Sequence, residues 1–169
     1  MDKIINFWFP NDFFQKFWFD KTKDEYIIKN FKKTLENEYN NNLDISKCTN
    51  VEILEYIILF DQFSRHIFKN DRSNIIFKIC NEKALEYALY FLKNRFYFNI
   101  KFNYLCFILM PLRHSNEIHN YNIIKDILEK IKIDNIYFNK FVNDKILFEK
   151  FKSVTEINYN KINSCINHL

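Results

Sequence analysis

Two polar side chains, Asp61 and Arg65, interrupt an apolar helical stripe in the middle of the sequence. Apolar residues recur there at three- and four-residue steps from Ile53 and Ile57, and at about 100° per residue both polar side chains fall on the same face. The two also form an acid–base pair at the i, i+4 spacing, in the order that favours a helix. A buried charge costs free energy unless it is paired and hydrogen-bonded, so the pair needs a structural or functional reason.

Three interpretations of this pair are open. In the first, a buried ion pair anchors loop carbonyls between helices. In the second, Asp61 orients Arg65 at the floor of a pocket, where the guanidinium receives an anion or a carboxylate in the bidentate manner that arginine allows. In the third, the pair is exposed on the surface. The pocket interpretation is the one that predicts a ligand.

A second polar cluster, His114 and Ser115, follows an apolar run. At a helix entrance these residues could bind an anion with the free backbone N–H groups, or His114 could act as an acid or base. The structural alternative is that Ser115 caps the helix and His114 bonds to a neighbouring helix. A triad of Ser115, His114 and Asp61 is disfavoured, because adjacent side chains diverge and a nucleophile elbow needs glycine.

Cofactor and metal chemistry find little support in the sequence. Glycine is absent, which excludes a P-loop and a dinucleotide-binding fingerprint. The four cysteines are far apart, with no CxxC and no histidine at ligand spacing, so we expect no metal and no cofactor. The other three histidines, His66 among them, are interpreted as surface or core residues.

Composition and charge limit the class of protein. Of the 169 residues, 48% are hydrophobic and 27% charged, as in a globular chain. The net charge of +4 is scattered, which disfavours nucleic acid as a partner. No hydrophobic segment is long enough for a signal peptide or a membrane span, so the expected location is the cytoplasm and no membrane partner is expected. Ile, Asn, Lys, Phe and Tyr make up more than half of the chain, which indicates an A/T-rich genome.

The elements that must position these clusters are helices, since no strand-like alternation is sustained. Thr49 and Glu52 form a capping-box pattern that begins a helix extending to about Lys69. Ser73 is the expected cap of the next helix. Further helices are predicted over residues 2–9, 24–39, 138–151 and 156–166.

Around the second cluster, Pro111 is expected to stop the apolar run 102–110, and a new helix is expected to begin near Ser115. The sequence therefore predicts an all-α protein of about six to eight helices in a single domain, residues 1–169. Either an antiparallel array or a helical repeat fits this pattern.

Three sequence segments resemble the landmarks of an uncharacterised bacterial family, domain of unknown function 924. They are Phe-Trp-Phe at residues 7–9, Leu-Phe-Asp-Gln-Phe-Ser-Arg-His at 59–66 and Pro-Leu-Arg-His-Ser-Asn at 111–116, which are similar to the family's FWF, LDQFPRN and PLMHSE. The pair Trp18-Phe19 followed by Asp24 is also similar to the family. The resemblance covers about residues 1–130, and it implies a helical fold like that of tetratricopeptide (TPR) repeats, without an established reaction.

The departures from the family pattern concern polar positions. His66 stands where the family has Asn, Asn116 where it has Glu, and Asn81 where it often has Asp. An Arg-Phe-Pro-His-Arg-Asn stretch of the family has no evident counterpart in the tail, residues 134–169. These losses weigh against retained catalysis and leave a binding role open.

The leading hypothesis is a helical protein that binds an anionic small molecule or a peptide carboxylate at Asp61, Gln62, Arg65, His114 and Ser115. The first alternative is a structural or protein–protein interaction module, in which Asp61 and Arg65 are a buried staple. The second alternative is an enzyme that uses His114 as acid or base.

Overall fold

The computed structural model describes residues 2–11, 15–94, 97, 100–133 and 145–166. Every regular element in these ranges is helical, so the all-α prediction is confirmed. The helices are α1 (Asp2–Trp8), α2 (Asp24–Glu38), α3 (residues 50–67), α4 (Ile75–Lys93), α5 (Phe102–His114), α6 (Ile118–Ile133) and α7 (Lys145–Ile166), with short 3-10 turns at Lys16–Trp18 and Ile45–Lys47. The likeness to TPR repeats stays a prediction.

The chain divides into two compact units, Met1–Asn94 and Arg95–Leu169. In the first unit α3 contacts α1, α2 and α4, so it is the central helix of that unit. In the second unit α5, α6 and α7 each contact the other two. The predicted single domain stays a prediction, and each unit is described by itself below.

Helix α3 begins with the predicted capping box. The Glu52 backbone N–H donates to Thr49 Oγ1 at 3.2 Å, and the Thr49 backbone N–H donates to Glu52 Oε2 at 2.8 Å. These reciprocal bonds satisfy two donors that a helix start would otherwise leave unpaired. The prediction of a helix from this point is confirmed, and the helix ends at Ile67.

The middle of α3 is a π-helical segment, which periodicity did not predict. The helix runs as Asn50–Ile57 (α), Ile58–Phe63 (π) and Ser64–Ile67 (α). The Ser64 backbone N–H donates to the Leu59 carbonyl, one residue further back than in an α-helix. In an α-helix the Ser64 N–H would bond to the Phe60 carbonyl, and here the Ser64 hydroxyl donates to that carbonyl instead. The hydroxyl oxygen also lies 3.1 Å from the Asp61 carbonyl oxygen. A serine hydroxyl that bonds back in this way bends or widens a helix turn.

Aromatic packing joins the N-terminal segment to α3. Trp8 is fully buried, and its ring lies 5.4 Å from that of Phe63 in an edge-to-face arrangement. The Trp18 indole N–H donates to the Trp8 carbonyl at 2.7 Å. Two of the sequence landmarks, residues 7–9 and 59–66, therefore pack against each other in the first unit.

The second unit corrects the prediction at Pro111, because α5 continues through this residue to His114. Proline removes a single donor from the ladder, and the next turn closes normally, with Ser115 N–H bonded to the Pro111 carbonyl at 3.0 Å. Burial of the surrounding apolar residues offsets the lost bond. The expected start of α6 near Ser115 is also wrong, since Asn116 adopts a left-handed φ of 57° and α6 begins at Ile118.

Two further boundaries differ from the sequence prediction. The cap of α4 is Asn74, whose side chain accepts from the Ile76 N–H, whereas Ser73 bonds to Asp71. Helix α7 runs without a break where two stretches, 138–151 and 156–166, were predicted. Residues 138–144 of that prediction lie outside the described residues. Within the described ranges, none of the helices is both long and apolar enough to cross a bilayer.

Candidate functional site

Asp61 lies in the π segment and its side chain is buried, with 1% of the residue exposed. Its Oδ1 accepts a hydrogen bond from Arg65 Nε at 3.1 Å, and its Oδ2 accepts one from the side-chain amide of Gln62. The predicted ion pair therefore exists, and the near-complete burial of Asp61 excludes the surface-exposed interpretation.

Arg65 is anchored at two points and remains partly open to solvent. Besides the bond to Asp61, its Nη2 donates to Asn81 Oδ1 at 2.7 Å, and 26% of its side chain is exposed. The Asn81 amide N–H is itself bonded to the Phe77 carbonyl at 2.6 Å, which fixes the amide with its oxygen toward Arg65. Helix α4 thus sets the plane of the guanidinium.

A second arginine, Arg72, contacts the same aromatic ring as Arg65. The guanidinium carbons of Arg65 and Arg72 lie 5.6 and 4.7 Å from the centre of the Phe77 ring. Contact with the protein partly covers the Arg72 guanidinium, and this burial lowers its pKa. The charge of Arg65 lowers it further, against the opposing effect of Asp61. We call Asp61, Gln62, Arg65, Arg72, Phe77 and Asn81 the Arg65 cluster.

The donors in this cluster outnumber the acceptors. Arginine carries five N–H donors, and Arg65 directs one at Asp61 and one at Asn81. No acceptor for Arg65 Nη1 and no ion pair of Arg72 is found among the residues that the structure describes. The arrangement can accept oxygen atoms from outside the chain. Sequence analysis missed Arg72, because this residue lies in the loop after α3, where helical periodicity does not predict the position of a side chain.

A second buried carboxylate, Asp24, was not among the predicted site residues. Asp24 is 3% exposed, and its two oxygens accept from His66 Nδ1 at 2.6 Å and from Lys69 Nζ. Burial alone would raise the pKa of Asp24, but the hydrogen bonds from His66 and Lys69 outweigh it and hold that pKa below its usual range. We call these three residues the Asp24 cluster.

His66 therefore belongs to a hydrogen-bond network, which the interpretation as an isolated surface or core residue did not include. Its ring also lies 6.0 Å from that of Trp8, edge to face. In the sequence, Asp24 lies 42 residues before His66 and 45 residues before Lys69. The available signal was Asp24 itself, which follows the Trp18-Phe19 pair and opens α2.

The other two predicted site residues lie in the second unit. His114 is the last residue of α5 and is half-buried. The Ser115 hydroxyl donates to the Leu112 carbonyl at 2.7 Å and accepts from the Glu117 N–H and the Asn120 amide, at 3.3 and 2.9 Å. These three bonds fill the capacity of a hydroxyl, within the turn that precedes α6.

The structure therefore brings together Asp61, Gln62 and Arg65, while a site shared with His114 and Ser115 stays a prediction. In the described part of the chain, no three His, Cys, Asp or Glu side chains form a group that could hold a metal ion. Cys106 is buried in the core of the second unit, as predicted.

Comparison with known proteins gives one match. Residues 4–159 match the family described as "Bacterial protein of unknown function (DUF924)". The match extends well beyond residue 130, into the tail where sequence reasoning identified no counterpart. No curated protein and no solved structure matches the chain. Since the family match covers most of its length, the chain belongs to DUF924.

Proposed function

We propose that this protein binds an anionic small molecule or a peptide carboxylate at Arg65. The observation that carries the proposal is the anchoring of the guanidinium. Asp61 and Asn81 hold Nε and Nη2, while a quarter of the side chain remains exposed and Nη1 has no acceptor among the described residues.

An arginine held in this way is prepared for an anion. Its rotamer and plane are already fixed, so binding costs little further side-chain entropy. The remaining N–H groups of Nη1 and Nη2 form the end-on fork that matches two oxygens of a carboxylate or phosphate. Asp61 orients the guanidinium, and Gln62 holds Asp61.

His114 and Ser115 complete the site in the sequence-based hypothesis. The Ser115 hydroxyl already makes three hydrogen bonds, so it would have to exchange one of them to contact a ligand. His114 is therefore the better test of a shared site. If His114→Ala leaves anion binding unchanged, the site is confined to the Arg65 cluster.

The competing function is a structural or interaction module in which Asp61 and Arg65 only hold α3. The burial of Asp61 supports this alternative, because loss of Arg65 would leave a buried carboxylate without its ion-pair partner and destabilise the fold whether or not a ligand binds. The two functions differ in what a conservative change at Arg65 does to ligand binding.

Thermal unfolding with added acetate or inorganic phosphate separates them. We compare wild type, Arg65→Lys and the control Arg113→Lys, at neutral pH and constant ionic strength against chloride. Lysine keeps a positive charge near Asp61 but lacks the fork. Phosphate also raises the melting temperature of many proteins by exclusion from their surface, so the difference between variants is what counts.

The proposal predicts that anions raise the melting temperature of wild type and Arg113→Lys in a saturable way, and that Arg65→Lys loses this increment while remaining folded. An equal increment in all three proteins would contradict it and favour the structural module.

A further inference from the structure

Arg72 adds a feature that recognition of a simple carboxylate does not require. Two of the four arginines in the chain, Arg65 and Arg72, lie over one aromatic ring, and of these two only Arg65 is paired with a carboxylate among the described residues. We propose that the group bound at Arg65 is a phosphoryl group, which Arg65 and Arg72 hold jointly above Phe77. This inference rests on the proposed function.

Charge is the first argument. Within the cluster, two guanidiniums face one carboxylate, Asp61, whose oxygens already accept from Arg65 and Gln62. The cluster therefore carries an excess of one positive charge, and an anion bound to both guanidiniums relieves the repulsion between them, more strongly the higher its charge. A carboxylate supplies a single charge, whereas a phosphate monoester carries close to two at neutral pH.

The loop that carries Arg72 keeps this arginine available. The neighbouring carboxylate, Asp71, accepts from the Ser73 hydroxyl at 2.7 Å and from the Asn74 amide at 3.2 Å. Asp71 is thus engaged within its own loop, and Asn74 caps α4. Asp71 is next to Arg72 in the sequence, but its carboxylate is bonded to Ser73 and Asn74 rather than to Arg72.

Geometry is the second argument. One guanidinium fork matches the two coplanar oxygens of a carboxylate, so a single arginine is enough to bind both oxygens. Two guanidiniums on different backbone segments offer donors from two directions, which suits the three oxygens of a tetrahedral phosphoryl group. Phe77 is buried and lies in the first turn of α4, where an apolar surface and the positive helix end both strengthen attraction to an anion.

The experiment titrates the whole protein with inorganic phosphate and with acetate by calorimetry. It compares wild type, Arg65→Lys, Arg72→Gln and the control Lys78→Gln, which removes one positive charge from an exposed position of the same helix. We expect wild type to bind phosphate about tenfold more tightly than acetate, the worth of one added charged hydrogen bond.

Arg72→Gln should lose this preference by weakening phosphate binding about tenfold while leaving acetate binding unchanged. Lys78→Gln should behave as wild type. If Arg72→Gln binds phosphate as tightly as Lys78→Gln does, the phosphoryl assignment is wrong. The proposed function still stands in that case if Arg65→Lys weakens both anions, and it fails as well if Arg65→Lys weakens neither.

Displacement of bound phosphate identifies the source of the group. A sugar phosphate that displaces it indicates a small-molecule ligand, and a phosphoserine peptide that displaces it indicates a modified peptide. Either result supports a phosphoryl ligand. Phosphate binding that neither compound displaces would overturn the inference, because the site would then accept only the inorganic ion.

Discussion

The Asp24 cluster and the Arg65 cluster both combine a buried carboxylate with basic side chains, but they differ in how many of the basic groups the carboxylate pairs with. Each contains an almost fully buried carboxylate, 3% exposed at Asp24 and 1% at Asp61, and each takes basic side chains from the end of α3 or the residues after it. At Asp24 both oxygens are bonded to basic groups from distant positions, so the cluster ties α2 to the end of α3. At Asp61 the ion pair joins two residues of the same helix, and N–H donors of Arg65 and Arg72 remain without an acceptor among the described residues.

The balance between donors and acceptors separates the two roles. The Asp24 cluster pairs one carboxylate with Lys69 and His66, which satisfies the charge of the carboxylate within the protein. The Arg65 cluster carries a second guanidinium, Arg72, without an ion-pair partner among the described residues. We conclude that the first cluster stabilises the fold and that the second is the candidate for binding.

The largest expected effect is on stability, at Asp24. Asp24→Asn keeps the shape of the side chain but removes the charge that His66 and Lys69 share, so we expect the free energy of unfolding to fall by about 3 kcal/mol. Urea denaturation measures this loss. Anion binding at Arg65 should persist in the folded variant, and its disappearance would show that the clusters do not have separate roles.

The same cluster predicts how stability depends on pH. The folded protein holds the pKa of Asp24 below its usual range. The ionised Asp24 carboxylate therefore makes its full contribution to the free energy of unfolding at neutral pH and wherever the pH is above the pKa of Asp24 in the unfolded chain. It is lost as the pH falls through the lower, folded pKa. Unfolding curves of wild type and Asp24→Asn should therefore converge in acid, and a constant difference at every pH would contradict this assignment.

Removing the outer cation from each cluster gives a matched comparison. Lys69→Gln should cost about 1 kcal/mol, because buried Asp24 loses a partner while the exposed part of Lys69 was already solvated. Arg72→Gln should change stability by less than about 0.5 kcal/mol, since no described carboxylate depends on it. Chemical denaturation of both variants tests this, and a larger loss in Arg72→Gln would reverse the comparison.

The smallest expected change in anion binding concerns Asn81. Asn81→Asp places a second carboxylate against Arg65 Nη2. This carboxylate offsets the positive charge of the guanidinium and so weakens its attraction to an anionic ligand. We expect phosphate affinity to fall by about threefold, or roughly 0.7 kcal/mol, with the fold retained. Asn81→Ala is the control that removes the amide without adding charge. Equal affinities of the Asp and Ala variants would argue against an electrostatic role.

What the sequence could predict was largely local. The capping box at Thr49 and the i, i+4 pair at Asp61 and Arg65 depend on residues within one or two helical turns, and both formed as expected. The Asp24 cluster joins residues more than 40 positions apart, and no periodic pattern records such a contact. It became visible only when the helices were packed.

Local rules failed where packing or a side chain overrode them. Pro111 was expected to end a helix, but the burial of the flanking residues keeps α5 intact at the cost of one backbone bond. The π segment escaped detection because a fixed angle per residue averages over it, while a single hydroxyl, that of Ser64, stabilises the wider turn. Asp61 was nevertheless placed correctly on the inner face.

The central claim, that Arg65 binds an anion, is tested most directly by the NMR signals of the arginine side chains. The chain has four arginines, so a protein labelled with ¹⁵N-arginine gives four Nε–Hε signals, which Arg→Lys variants assign. During titration with inorganic phosphate at constant ionic strength, we predict that the signals of Arg65 and Arg72 shift together and saturate. Arg113, whose guanidinium lies over Phe151, serves as the reference. If the Arg65 signal moves no more than that of Arg113, Arg65 is a structural residue and the proposed function is wrong.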